Sequence, residues 1–265
     1  MSLLLMQVNR GVDIDMKLRI TAVCDIGCVR ENNEDMVLVG QKLVRDDKLQ
    51  MIFALNGQHP VFLLAVADGL GGANAGEVAS RMVLEDFREK IYRLAPGLDP
   101  EGLKIAVSTL ALDTHLKIIE EGFADPERSG MGTTLIALLW YEGRLVLINA
   151  GDSRLYRFRN GKLTQLSTDH SLRNLLGSLA PSNVITNCFG GGNAFYVDVE
   201  PAGEDVLNGD VFLLCSDGLS GMLADAEIEE MLDEEGYEDA LLAAARQKGG
   251  FDNVSYVLAE VSGVR

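Results

Sequence analysis

Histidine, cysteine and positive charge are all scarce in this chain, and each shortage removes a class of function. Only three histidines occur, His59, His115 and His170, and they are scattered along the sequence. The four cysteines, Cys24, Cys28, Cys188 and Cys215, form no C-x-x-C pair. A zinc site and a disulfide framework are therefore both disfavoured, and the thiols, two of them inside apolar runs, are expected to be buried and reduced. Lysine and arginine number 23 against 40 aspartates and glutamates, a formal charge of −17. Such a surface repels phosphate backbones, so no nucleic-acid partner is expected. No apolar run reaches the roughly 18 residues that a membrane span requires, and the opening MSLLLM is too short for a secretory apolar region. The chain reads as soluble and cytoplasmic, with residues 1–16 as a flexible lead-in.

What is abundant is apolar side chain, 47% of 265 residues, enough to fill the core of one large layered domain over 17–265. Strand patterns are predicted at 18–25, 36–39, 50–55 and 61–67, the last two joined by a turn containing Asn56-Gly57 that suggests a hairpin. Two amphipathic helices follow, from Ala75 to about Leu94 and from Pro100 to about Glu120. A meander of short strands then covers 133–166, broken by Glu142-Gly143, Gly151-Asp152 and Asn160-Gly161. Strands are further expected at 184–187, 194–199 and 211–215. Two short acidic helices around 225–233 and 238–248 precede a last strand at 254–261. Strands, two helices, strands, two helices, strand is not the alternation of a doubly wound parallel sheet. The order predicts an α+β fold, a four-layer αββα sandwich of two mostly antiparallel sheets flanked by helix pairs.

One feature recurs along this pattern. Val61 to Ala67 runs straight into Asp68-Gly69-Leu70-Gly71-Gly72, and Val211 to Ser216 runs into Asp217-Gly218-Leu219. The run Arg144 to Ala150 ends in Gly151-Asp152, and Phe251-Asp252-Asn253 leads into the final apolar strand. A lone Asp-Gly is ordinarily a turn. Several carboxylates delivered to the ends of core strands are costly unless paired or metal-bound, and no basic residue adjoins Asp68, Asp217 or Asp252. Clustered aspartate oxygens favour Mg²⁺ or Mn²⁺ over zinc or copper. A dinucleotide loop is the rival for 69–74, but Asn74 breaks the G-x-G-x-x-G spacing, and Asp68 would set a negative charge beside a pyrophosphate. No G-x-x-x-x-G-K-[ST] loop occurs. The charged loop Arg30-Glu31-Asn32-Asn33-Glu34-Asp35 between two strands adds an arginine suited to bidentate phosphate capture.

Taken in order, R30-x-x-N33-E34-D35, V66-A-D68-G69-L-G71-G72, S129-G-M-G132-T133-T134, G151-D152-S153-R154, S216-D217-G218-L219 and F251-D252-N253 resemble the motif series of the metal-dependent protein phosphatases, the type 2C Ser/Thr phosphatases, in their bacterial branch. The resemblance spans roughly residues 20–262. It implies two Mn²⁺ or Mg²⁺ ions bridged by Asp68, with the Gly69 carbonyl on one of them. Asp217 and Asp252 would complete the second site, Asp35 would act through water, and Asp152 with Asp217 would hold a possible third ion. Arg30 would bind the phosphate, while Glu34 and Asn253 would support the centre. A water bridging the cations would attack phosphorus in line, with no phosphoenzyme. Leu70 stands where some members carry a histidine that is a candidate general acid, so the proton donor must be sought elsewhere. His170 matches a family motif and is read as structural.

The substrates implied are phosphorylated proteins, set against a Ser/Thr kinase, with a monomer as the default state. A phosphatase of the sporulation type and a non-catalytic regulatory relative are the alternatives; Arg30 and the intact acids speak against them. The segment between His170 and Asn183, where the family has a flap, is short here. A reduced flap around 170–183 and a more open site are expected.

Overall fold

The structure is a computed structural model that describes residues 16–55, 60–70, 75–177, 179–180, 184–191, 195–203 and 205–264. Five strands open the chain: β1 (Met16–Asp25), β2 (Met36–Val39), β3 (Lys42–Val44), β4 (Asp47–Leu55) and β5 (Val61–Ala67). A two-residue strand, β6 (Gly69–Leu70), precedes the helices α1 (Gly76–Lys90) and α2 (Pro100–Ala124). The meander is β7 (Gly132–Thr133), β8 (Leu135–Tyr141), β9 (Arg144–Ala150), β10 (Arg154–Arg159) and β11 (Lys162–Gln165). After the short α3 (Leu172–Leu176) come β12 (Asp198–Pro201), β13 (Val211–Cys215), α4 (Asp217–Ser220), α5 (Asp225–Leu232), α6 (Tyr237–Gln247) and β14 (Val254–Ser262).

The strands form two six-stranded sheets, ordered β11-β10-β13-β14-β1-β4 and β12-β9-β8-β5-β2-β3, plus a two-stranded ribbon of β6 and β7. Every strand pair in them is antiparallel. Successive side chains of a strand point to opposite faces, and β5 shows what that alternation accomplishes. Leu63, Ala65 and Ala67 pack with Val83 and Phe87 of α1 and Val107 of α2. Phe62, Leu64 and Val66 face the other sheet, against Ile20, Leu214 and Val257. A third apolar layer joins Tyr156, Leu213 and Tyr256 to Leu219 of α4, Ile228 of α5 and Leu241 of α6. Three apolar layers between four structural ones make the expected αββα sandwich.

Several expectations need correcting. The stretch around Asn56-Gly57 does not close a hairpin, because β4 hydrogen-bonds to β1 in one sheet and β5 to β2 and β8 in the other. The connection crosses between layers, and residues 56–59, including His59, lie outside the described residues. Strand β3, paired with β2, was not predicted, since its three residues carry too little pattern. The strand expected at 184–187 is reduced to a single bridge between Ser171 and Ile185. The strand expected at 194–199 is β12, shifted toward the C-terminus. All four cysteines are free, but Cys28 is exposed, not buried. Residues 1–15 of the expected lead-in, together with Gly71, Gly72 and Asn74, fall outside the described residues.

Candidate metal centre

Strand register brings the acids to one edge of the sandwich. Met36 of β2 pairs with Ala67 of β5, so Asp35 and Asp68 leave their strands side by side. In the second sheet Cys215 pairs with both Arg154 and Tyr256, which places Asp217 next to the segment that feeds β14. Leu135 pairs with Ala150, which carries the Gly151-Asp152 turn to the same edge.

Asp68 is held by its backbone, and its carboxyl is left to the site. Its N–H donates to Thr134 Oγ1 at 3.1 Å. Its carbonyl accepts from Thr134 N at 2.9 Å and from Thr133 Oγ1 at 2.8 Å. Ser153 Oγ, 2.7 Å from Thr134 Oγ1, ties this clamp to the neighbouring sheet. Burial first, then the charges of Asp35, Asp217, Asp152 and Asp252, raise the Asp68 carboxyl well above the usual carboxylate range. Burial first, then the charge of Asp252, also raises the Asp217 carboxyl.

Asp35 is fully enclosed. Burial pushes its carboxyl up to about 8, against the opposing hydrogen bonds of Ser255 and Ser216. Ser216 Oγ donates to Asp35 Oδ2 at 2.9 Å, and Asn33 Oδ1 accepts from Asp35 N at 3.1 Å. Asp152 is buried as well, and its carboxyl is pushed up to about 7, first by burial and then by Asp217. Its turn is fixed by His170, whose backbone N–H donates to the Gly151 carbonyl at 2.8 Å and whose Nδ1 accepts from Gly151 N at 3.1 Å. Asn187 Nδ2 also donates to Nδ1, at 2.8 Å, and Nε2 lies 2.8 Å from Asp198 Oδ2. With two N–H donors on Nδ1, the ring proton sits on Nε2 and points to Asp198. His170 is thereby committed to positioning the Asp152 turn, in keeping with a structural part.

Arg30 stands on the rim, about half exposed, with Nη2 2.6 Å from Asp252 Oδ2. Asn253 is buried and stitches three segments together. Its Oδ1 accepts from Glu34 N at 2.9 Å, and its Nδ2 donates to the carbonyls of Ile26 at 3.0 Å and Asn32 at 2.9 Å. Glu34 is half-buried, and its carboxyl is raised by burial first and by Glu77 next. Its backbone and side chain lie where Gly69 and Gly76 approach. A Cβ on Gly69 would come within 2.6 Å of the Glu34 carbonyl and 2.5 Å of Gly76 backbone atoms. Glycine at 69 is thus required by close backbone approach.

Sequence reasoning gave no role to Ser216, Thr133, Thr134, Asn33 or Ser153, although all five stand inside the quoted motifs. Ser216 and Ser153 adjoin Asp217 and Asp152 in the chain, whereas Thr133 and Thr134 meet Asp68 only through strand register.

The sequence profile of protein phosphatase 2C matches residues 39–250. The chain belongs to the protein phosphatase 2C family. It is 35% identical over 269 residues to the serine/threonine protein phosphatase PstP of Mycobacterium tuberculosis, covering 94% of this chain and 46% of that protein. It thus spans about half the length of that mycobacterial relative. The serine/threonine phosphatase stp of Listeria innocua is 29% identical over 251 residues, covering 89% of this chain and 93% of the other. Among solved structures, the catalytic domain of PstP in complex with two manganese ions superposes with a TM-score of 0.73 at 33% identity, covering 93% of this chain and 99% of that one. Stp1 from Staphylococcus aureus gives 0.77 at 26% identity, covering 96% and 99%.

The donor set fits the divalent ions expected of a type 2C phosphatase. Its side-chain donors are aspartate oxygens, the chemistry of Mg²⁺ and Mn²⁺. The local arginines are already paired with carboxylates. Arg30 is on Asp252, and Arg154 is clamped to Asp169 through Nη2 at 2.7 Å. Among the described residues no three such side chains are already closed around one point. The carboxyls of Asp35, Asp68, Asp152 and Asp217 are pushed toward the neutral form by burial and by neighbouring acids. Leu70 is described, in β6 paired to Gly132, and offers no proton.

Proposed function

We propose that the chain is a metal-dependent protein-serine/threonine phosphatase that holds two Mn²⁺ or Mg²⁺ ions, with a possible third, and acts on phosphorylated proteins made by a Ser/Thr kinase. The observation that carries this reading is the convergence of Asp35, Asp68, Asp152 and Asp217 at one sheet edge, each with its carboxyl raised by burial. Asp68, Asp217 and Asp252 would hold the ions together with the Gly69 carbonyl; Asp35 would act from behind through water, and Asp152 would serve the third. The ions, when bound, would supply Lewis-acid activation of water and offset phosphoryl charge.

The chain's own residues supply the rest. The Thr133–Thr134–Ser153 clamp fixes where the Asp68 carboxyl stands, and the Ser216 hydroxyl fixes Asp35. Arg30 presents a planar fork on the rim, the geometry suited to a phosphate monoester. Its ion pair with Asp252 holds the guanidinium at the entrance before substrate arrives. Proton delivery to the leaving serine or threonine oxygen falls to a group other than residue 70. Between His170 and Asn183 the described residues hold only the five-residue α3, which supports a small flap and an open approach for a protein substrate.

The test is hydrolysis of a phosphothreonine peptide titrated with Mn²⁺ and Mg²⁺. Wild type should be inactive in chelator and restored by either ion. Asp68→Asn should lose at least about 10³-fold in kcat/KM, the scale of removing a group that organises transition-state charge. Wild-type rates in Asp68→Asn, or full activity in chelator, would sink the reading.

A further inference from the structure

Helix α2 is apolar on the side that faces away from the core. Its inner face is the expected one, with Leu103, Val107, Leu110, Thr114 and Ile118 buried against the sheet and α1. On the outer face Ile105 is 59% exposed, Leu112 47%, Leu116 48% and Phe123 85%. At 3.6 residues per turn these four fall within about 40° of one another and roughly opposite the buried stripe. A helix that is apolar all round belongs inside something. The four positions also span about 27 Å along the axis, too ordered a seam for scattered surface residues.

The spacing indicates what covers it. Positions 105, 112, 116 and 123 read the same in both directions, centred on residue 114. A two-fold axis across the helix at that point sets Ile105 of one copy against Phe123 of the other and Leu112 against Leu116. That is the self-complementarity an isologous dimer requires, residue i meeting j while j meets i. Lys117, on one flank of the stripe, is held by Asp86 of its own chain at 2.8 Å. The face carries Lys104 and Lys117 against Glu101, Asp113 and Glu120, close to balance in a chain of net charge −17. It is therefore a place where two acidic molecules can approach.

We infer that two copies of this protein associate through α2, packed antiparallel along Ile105, Leu112, Leu116 and Phe123. A single helix pair is a small interface, so the dimer is weak and concentration-dependent. Because the rest of each surface is acidic, salt strengthens the association by screening repulsion between the copies.

Light scattering coupled to gel filtration on the full chain tests this. The mass should rise from one chain toward two between about 1 and about 300 µM, and the rise should come earlier in 0.5 M than in 0.05 M NaCl. Leu112→Glu with Leu116→Glu should keep the one-chain mass throughout with an unchanged circular dichroism spectrum. A Cys28→Ser background carrying Ile105→Cys and Phe123→Cys together should form a covalent dimer on mild oxidation, and neither cysteine alone should do so. The oxidation arm decides the matter even if the glutamate variant does not fold. A one-chain mass for wild type at every concentration, association that survives the two glutamates, or cross-linking by either single cysteine would overturn the proposal.

Discussion

Arg30 shows how one side chain can serve two states of the site. It is held by Asp252 and, in part, by the more distant Glu34 and Asp68, all of which keep its guanidinium charged. In the proposed reaction that fork turns to the phosphate, an exchange of one oxyanion partner for another that costs little because the rim is open to water. Arg30→Ala should therefore lower kcat/KM for a phosphopeptide by about 10- to 100-fold, with Mn²⁺ affinity, measured by calorimetry, nearly unchanged. Arg30→Lys should recover only part of the loss, since an ammonium cannot make the bidentate contact. Equal loss of metal affinity and activity in Arg30→Ala would assign the residue to the ion site and not to the phosphate.

At the scale of elements, the centre is a place where loops are sewn to strand ends. Asn253 joins the segments at 26, 32 and 34 through three hydrogen bonds. Gly218, at the start of α4, packs so closely on it that a Cβ would lie 1.8 Å from the Asn253 carbonyl. Asn253→Ala strands one N–H and two carbonyls, at about 2–4 kcal/mol in total, and should lower Tm by about 5–10 °C. Mn²⁺ binding should weaken with it, because Asp252 loses its neighbour. A thermal melt within a degree or two of wild type would show that the stitch is redundant. This network was only half legible in the sequence. Apolar runs ending in Asp-Gly disclosed Asp68 and Asp217, because a carboxylate at the end of a buried strand has few explanations. The hydroxyls that hold them gave no such signal, since Ser216 beside Asp217 looks like any strand end and Thr134 meets Asp68 only once register is known. The misread hairpin at Asn56-Gly57 has the same origin. Local turn chemistry is visible in sequence, but whether the next strand stays in its sheet or crosses to the other layer depends on long-range pairing. The outer stripe of α2 was likewise hidden, because an amphipathic reading looks for one apolar face and stops when it finds it.

For the molecule as a whole, the acids at the sheet edge make folding, metal and pH a single linked equilibrium. In the metal-free fold Asp35 stands at about 8 and Asp152 at about 7, while both lie near about 3.9 in the unfolded chain. The sign follows from proton counting. Below about pH 4 both states are protonated, and the contribution of these groups to stability is fully present. As pH rises through 7 and 8 the unfolded chain has long since released its protons, and the folded chain must give up the same protons at the expense of its stability. Metal-free protein should therefore melt at a lower temperature at pH 8.5 than at pH 6, even though most proteins are comfortable across that range. A divalent cation binds the ionised carboxylates, so its stabilising effect should grow over the same interval. At a hundred times its Kd one ion contributes about 2.7 kcal/mol, worth about 5–10 °C in a chain of this size. Differential scanning fluorimetry with and without Mn²⁺ measures both slopes. The expected result is a metal-induced rise in Tm that is several degrees larger at pH 8.5 than at pH 6, and that shrinks in Asp35→Asn because one raised carboxyl has been removed. A metal shift that is flat or falling with pH would mean that the buried acids are not the groups the ion meets.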